Sequence, residues 1–198
     1  VVNAQAGGGL DGAAAWLLAS LHERADQPAQ AADQYALLRL QGDTGDEVLK
    51  LEVQARLQAG QPAAAWRLIE EHDLGAIDLR VDTLVRLERY EEAAAELEGA
   101  QEVHRVCRWG RIVGLDLAQP SRAMERLRSW LADHEAAQEV LELIEDLASR
   151  AGDVETTAWA RQALGDLVHD DPLARSRWLQ RAAQVASDAA EAVALLTE

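Results

Sequence analysis

The chain is 198 residues long, 48% apolar, and carries a formal charge of −16. That apolar fraction suffices for one packed core, while so acidic a balance excludes nucleic acid as a partner, because phosphate backbones are repelled. A single cysteine, Cys107, excludes an intrachain disulfide framework or a cysteine-rich metal site, and no apolar run approaches the ~20 residues of a membrane span.

Ala and Leu dominate, Phe is absent, and Gly and Pro are scarce, a mixture that favours helix throughout. The chain opens Val1-Val2-Asn3 without Met, which reads as a cut or processed start, and Ala4-Gln5-Ala6 as a chance likeness to a signal-peptidase site. Gly7-Gly8-Gly9 lacks the strand and the Lys-Ser/Thr of a phosphate loop, so residues 1–11 read as a flexible lead-in. One helical domain, 12–198, is expected to follow. Its predicted helices are 12–25, 28–40, 45–59, 62–73, 76–87, 90–100, 102–117, 120–133, 135–151, 153–169, 172–186 and 188–197. Gly42, Gly45, Gly60, Gly75 and Gly152 fall in the turns between them, and Asp171-Pro172 reads as an N-cap with a first-turn proline.

Along this series a short signal recurs: a turn, a small residue, and an apolar residue four further on. The pairs are Ala31 with Tyr35, Ala65 with Ile69, Ala93 with Leu97, Ala123 with Leu127, and Ala192 with Leu196. A poorer copy has Thr157 with Arg161 in the apolar slot. Positions 31, 65, 93, 123, 157 and 192 are separated by 34, 28, 30, 34 and 35 residues. The small residue lets the second helix of a pair approach the first closely, and the large one a turn later fills the space beside it. Pro28, Pro62 and Pro120 sit where a first helical turn accepts proline. In the first helices, Val106, Trp109, Gly110 and Val113 keep a large, large, small, large order, followed more loosely by Ala15, Leu18, Ala19 and His22.

These residues resemble the tetratricopeptide (TPR) family, whose motif has Trp, Leu-Gly and Tyr in helix one and Ala, Phe, Ala in helix two. The resemblance is degenerate: the second pair's first helix, Leu51 to Leu57, is out of register, and the third, Ile77 to Leu87, is short. It implies an all-α fold, a right-handed superhelical solenoid of about six antiparallel helix pairs; another helix-pair solenoid is the structural alternative. It also implies that the first helices line a concave groove holding a peptide or helix of another protein. Carried onto this chain, the groove-facing pairs are Lys50 with Gln54, Asp78 with Asp82, Cys107 with Arg111, Glu142 with Asp146, and Arg177 with Arg181. Trp16 and His104 stand beside them. Each pair is i, i+4 and shares one helix face; the plainer reading is an ordinary solvated face.

No catalytic group is expected. The histidines 22, 72, 104, 134 and 169 include no i, i+4 pair and no His-Glu-x-x-His, so neither a metal nor a cofactor is predicted. Cys107 reads as a buried thiol beside Gly110, although Arg105, Arg108 and Arg111 lie within reach to lower its pKa. The six tryptophans read first as core in a chain without Phe, Trp109 in particular; Trp16, one residue past its core slot, turns toward the inner face. A basic island at Arg105, Arg108, Arg111, Arg122, Arg126 and Arg128 either receives an acidic partner segment or balances acidic neighbours.

The expected function is a non-catalytic protein-interaction scaffold. One Lys against eighteen Arg suggests a high-GC bacterial genome, and family analogy points to cell-envelope export or secretion machinery and to the periplasm. A chaperone for a secreted client and a regulatory domain of an enzyme are the competing readings. The apolar Val193, Leu195 and Leu196 further suggest a fragment of a longer chain, or self-association through the C-terminal repeat.

Overall fold

The computed structural model describes residues 5–41, 45–135, 137–167 and 172–196, with side chains described among them except at 5–11, 174 and 186–196. The described residues are helical and contain no strand. In order they form α1 (Gln5–Arg24), α2 (Pro28–Leu40), α3 (Asp46–Gln58), α4 (Pro62–Glu71), α5 (Ile77–Arg86), α6 (Tyr90–Glu96) and α7 (Val103–Arg111). A π-helical turn, Ile112–Asp116, continues α7, and α8 (Pro120–Asp133), α9 (Gln138–Ala151), α10 (Val154–Leu167) and α11 (Pro172–Leu196) follow. Two expectations change. α11 is one helix where two were expected on either side of residue 187, since the small residues Ala182, Ala183, Ala186, Ala189 and Ala190 sustain the helix and no Gly or Pro interrupts it. α1 begins at Gln5, so Gly7-Gly8-Gly9 falls within the helix. Gly42, Asp171 and the side chains of Ala192, Val193, Leu195 and Leu196 lie outside the described residues.

Five turns share one backbone design. Asp26, Gly60, Glu88, Ala118 and Gly152 have φ of 54°, 70°, 58°, 53° and 71°, the left-handed region. Each lies five residues before a repeat position: 31, 65, 93, 123 and 157. After four of them the next N–H reaches back five residues: Gln27 to the His22 carbonyl (2.9 Å), Gln61 to Arg56 (2.8 Å), Arg89 to Leu84 (2.9 Å) and Asp153 to Ala148 (2.9 Å). This is the Schellman closure of a helix C-terminus. In the fourth turn Gln119 reaches back six residues, to the Val113 carbonyl at 2.9 Å. The π-helical turn adds the extra residue. The residue after each left-handed one then accepts the first bond of the next helix. It comes from the N–H of Ala31 (3.1 Å), Ala65 (3.1 Å), Ala93 (3.0 Å), Ala123 (3.1 Å) and Thr157 (3.0 Å).

Burial follows the same register. Ala31, Ala65, Ala93 and Ala123 are fully buried, as are Tyr35, Ile69, Leu97 and Leu127 four residues on. The fifth copy solves the same problem with polar groups. The Thr157 hydroxyl donates to the Asp153 carbonyl (2.7 Å), and Arg161 in the apolar slot donates from Nε to Glu145 Oε1 (2.7 Å).

The chain divides into two compact units, Val1–Glu96 and Leu97–Glu198. In the first, α3 has two apolar faces. Val48 and Ala55 join Ala15, Ala19, Ala31, Ala32, Tyr35 and Leu38 of α1 and α2; Leu49, Val53 and Leu57 join Ala65, Leu68 and Ile69 of α4, and Leu74. Leu18, expected in the first core, is 44% exposed; it lies about 100° around the helix from Ala19. Between the two faces Glu52 is fully buried, accepting from Arg39 Nε (2.9 Å) and from Arg56 Nε (3.1 Å) and Nη2 (2.9 Å). In the second unit Gly110 and Gly114 bring α7 and its π-helical turn close to α8 and α9. A Cβ on Gly110 would lie 2.9 Å from Leu143 Cδ2, and one on Gly114 2.6 Å from Leu147 Cδ2.

Candidate partner-binding surfaces

In the first unit, α3 and α5 pack beside each other, which brings the helices carrying Lys50–Gln54 and Asp78–Asp82 together. Lys50 is half-buried and Gln54 exposed, beside the buried Glu52 that holds α3 to α2. Asp78 and Asp82 are half-buried and already engaged by neighbours. Trp16 is held by the core: its ring meets Tyr35 edge-on at 5.7 Å and 78°, and it packs against the α1–α2–α3 cluster. The Tyr35 hydroxyl donates to Glu23 Oε1 (2.8 Å), and burial, reinforced by that carboxylate, raises its pKa well above 10.0.

In the second unit, α7 and α9 pack beside each other. His104 and Arg111 are exposed on α7, but Cys107 between them is buried, so the Cys107–Arg111 pair does not share an open face. Burial pushes the thiol above its ordinary value of 9.0, with Arg111 opposing the shift and Glu139 adding to it. That is the reverse of an activated nucleophile. On α9, Glu142 is exposed and accepts from Gln138 Nε2 (2.7 Å), while Asp146 accepts from Arg150 Nε (2.8 Å). Both are satisfied along their own helix. Arg177 and Arg181 are exposed on α11, Arg181 standing 5.2 Å over the Trp178 ring.

Several tryptophans are capped by guanidinium groups, a pairing that residue spacing did not reveal. Arg80 and Arg89 lie 5.6 and 4.7 Å from the Trp66 centroid, and Arg128 lies 4.4 Å from Trp159. Arg126 and Arg122 lie 4.1 and 5.7 Å from Trp109. A guanidinium covers an aromatic face while keeping its charge near water, so in a chain without Phe these stacks finish the helix packing. Much of the basic island is spent this way: Arg122, Arg126 and Arg128 face indoles, and Arg105 pairs with Glu102 at 3.3 Å. Trp109 and Trp130 are buried. Trp130 stacks on His134 (4.1 Å, 7°) and donates from Nε1 to the Gln101 carbonyl (3.0 Å).

Among the described residues no three His, Cys, Asp or Glu side chains gather as a metal-holding group, and no helix is long and apolar enough to cross a membrane. The chain matches no family model and no curated protein.

Proposed function

We propose that the chain is a TPR-like helical repeat, its helix pairs stacked antiparallel as a right-handed solenoid, and that it acts as a non-catalytic scaffold for another protein. The observation that carries this reading is the five-fold turn: a left-handed residue followed five positions later by a buried small residue, at 31, 65, 93, 123 and 157. Repeated helix-turn-helix units bury one face against their neighbours and leave another open along the array. The open positions on the first helices include Gln54, His104, Arg111, Glu142, Arg177 and Arg181. They are polar and chemically mixed, which suits the recognition of a peptide or helix.

The test is charge reversal of Arg111 and Arg181, both exposed, in a chain whose partner has been isolated. The double variant should keep its helical spectrum and melting temperature yet bind its partner at least about tenfold more weakly, and the difference should shrink as salt rises. Unchanged affinity would place binding elsewhere.

A further inference from the structure

We propose that the hollow beside Trp109 is a carboxylate-binding site, occupied at rest by the chain's own Glu98 and taken in the complex by an acidic side chain of the partner protein. This rests on the protein-binding reading above and names the chemistry of what is bound. The hollow, about 310 Å³, is lined by Glu98, Trp109, Arg122, Glu125, Arg126 and Ser129.

Three donors converge there on one carboxylate. Trp109 Nε1 donates to Glu98 Oε2 at 3.1 Å. The same oxygen stands 3.5 Å from Arg126 Nη1 and 3.9 Å from Arg122 Nη2, both too long for a good hydrogen bond. Arg126 is fixed from its other end, where Nη2 donates to the Leu97 carbonyl (3.2 Å) and to the Glu98 carbonyl. Its Nη1 is buried and finds no hydrogen-bond acceptor among the described residues. Two guanidiniums therefore share one poorly seated carboxylate, and the buried Arg126 Nη1 has only a long ion pair to it in place of a hydrogen bond, an arrangement that costs stability until a better-placed acceptor arrives.

Glu98 is 59% exposed and Arg122 53%, so both can swing aside without disturbing the core. A carboxylate entering in place of Glu98 would accept from Trp109 Nε1 and from Arg126 Nη1, with Arg122 closing as a second charged donor. Charge-assisted bonds to guanidinium are the strong kind, and the planar fork suits a carboxylate. The site's own acids favour a singly charged group: Glu98 and Glu125 repel a dianionic phosphate about twice as strongly. Because Glu98 competes for the same donors, its neutralisation should strengthen binding.

The probe is an N-acetylated octapeptide of glutamate, titrated into the full chain, with the glutamine octapeptide as control. Affinity is measured by calorimetry, and the Arg126 Nε–Hε resonance is followed by NMR. The glutamate peptide alone should bind and shift that resonance. Glu98→Gln should tighten binding severalfold, and Arg122→Glu should weaken it at least about tenfold, with helical spectra unchanged. Arg122→Gln, weaker in the same direction, serves if Arg122→Glu fails to fold. Equal binding of the two peptides, or indifference to Glu98→Gln, overturns the site. If the glutamate peptide does not bind while the Arg111–Arg181 variant still loses its partner, this site is refuted and the scaffold reading stands. If the peptide binds and that variant keeps full partner affinity, the carboxylate site stands and the groove assignment falls.

Discussion

Replacing Ala118 with Gly should stabilise the protein, although Ala to Gly within a helix normally weakens it by about 1 kcal/mol. Ala118 holds φ 53°, where the clash of Cβ with its own carbonyl costs an L-residue roughly 1–2 kcal/mol. Glycine removes that strain but is freer in the unfolded chain, which returns about 0.5–1 kcal/mol. The balance is a gain of about 0.5–1 kcal/mol. The converse change, Gly152→Ala, places a Cβ at φ 71° with nothing within 4 Å to meet it, so its loss of about 1 kcal/mol is purely conformational. Glu88→Gly and Gly60→Ala repeat the comparison in the first unit, at φ 58° and 70°. Urea unfolding followed by circular dichroism reads the result: at a slope near 2 kcal/mol/M, these changes move the midpoint by about 0.3–0.5 M with the slope constant. A lower midpoint for Ala118→Gly, or no change for Gly152→Ala, would mean that these turns are not left-handed, and the five-fold design would fail with them.

Gly114→Ala should destabilise by about 1–3 kcal/mol through overpacking against the fully buried Leu147, 2.6 Å from the new methyl; in a double-mutant cycle Leu147→Ala should recover part of the loss, and additive effects would refute the close approach. Glu52→Ala should cost about 1–3 kcal/mol, since it removes the buried acceptor of charge-assisted bonds from Arg39 and Arg56, which are themselves partly exposed; a melt matching the parent would show that these bonds contribute little. Because burial raises the Cys107 pKa, the folded state holds that proton more tightly than the unfolded chain does. The stability it adds is present below 9.0 and lost as pH rises through and above that value. Urea midpoints at pH 7 and 10 should therefore fall less in Cys107→Ala than in the parent, Tyr35 supplying the remaining slope; identical falls would contradict the burial of the thiol.

The helices from α2 to α10 and the buried residues at 31, 35, 65, 69, 93, 97, 123 and 127 were legible because they rest on periodicity, as with Ala31 and Tyr35 one turn apart on one face; the early start of α1 and the unbroken α11 were not. The left-handed turns were half legible. Gly60 and Gly152 announce themselves, but Asp26, Glu88 and Ala118 adopt the same φ as ordinary residues, because the closing hydrogen bonds impose it. The π-helical turn carried no sequence signal; its extra residue became apparent only from the Gln119 bond to Val113. At the candidate surface, helical spacing could place side chains on one face but could not say which face was open. Cys107 is buried, as its reading as a thiol beside Gly110 had it and as its groove pairing with Arg111 did not, and Asp146 went to Arg150. Arg-over-Trp stacking depends on neighbouring helices, as with Arg89 over Trp66, and spacing along one helix does not encode it.

Hydrogen–deuterium exchange of the chain with and without its isolated partner tests the scaffold account most directly. A scaffold gripping its partner there should show slowed exchange along the first helices that carry the open polar positions, α7 with His104 and Arg111 and α9 with Glu142 foremost, and little change in α8 away from the Trp109 hollow. Protection confined to the second helices of the pairs, with α7 and α9 exchanging as in the free chain, would contradict it.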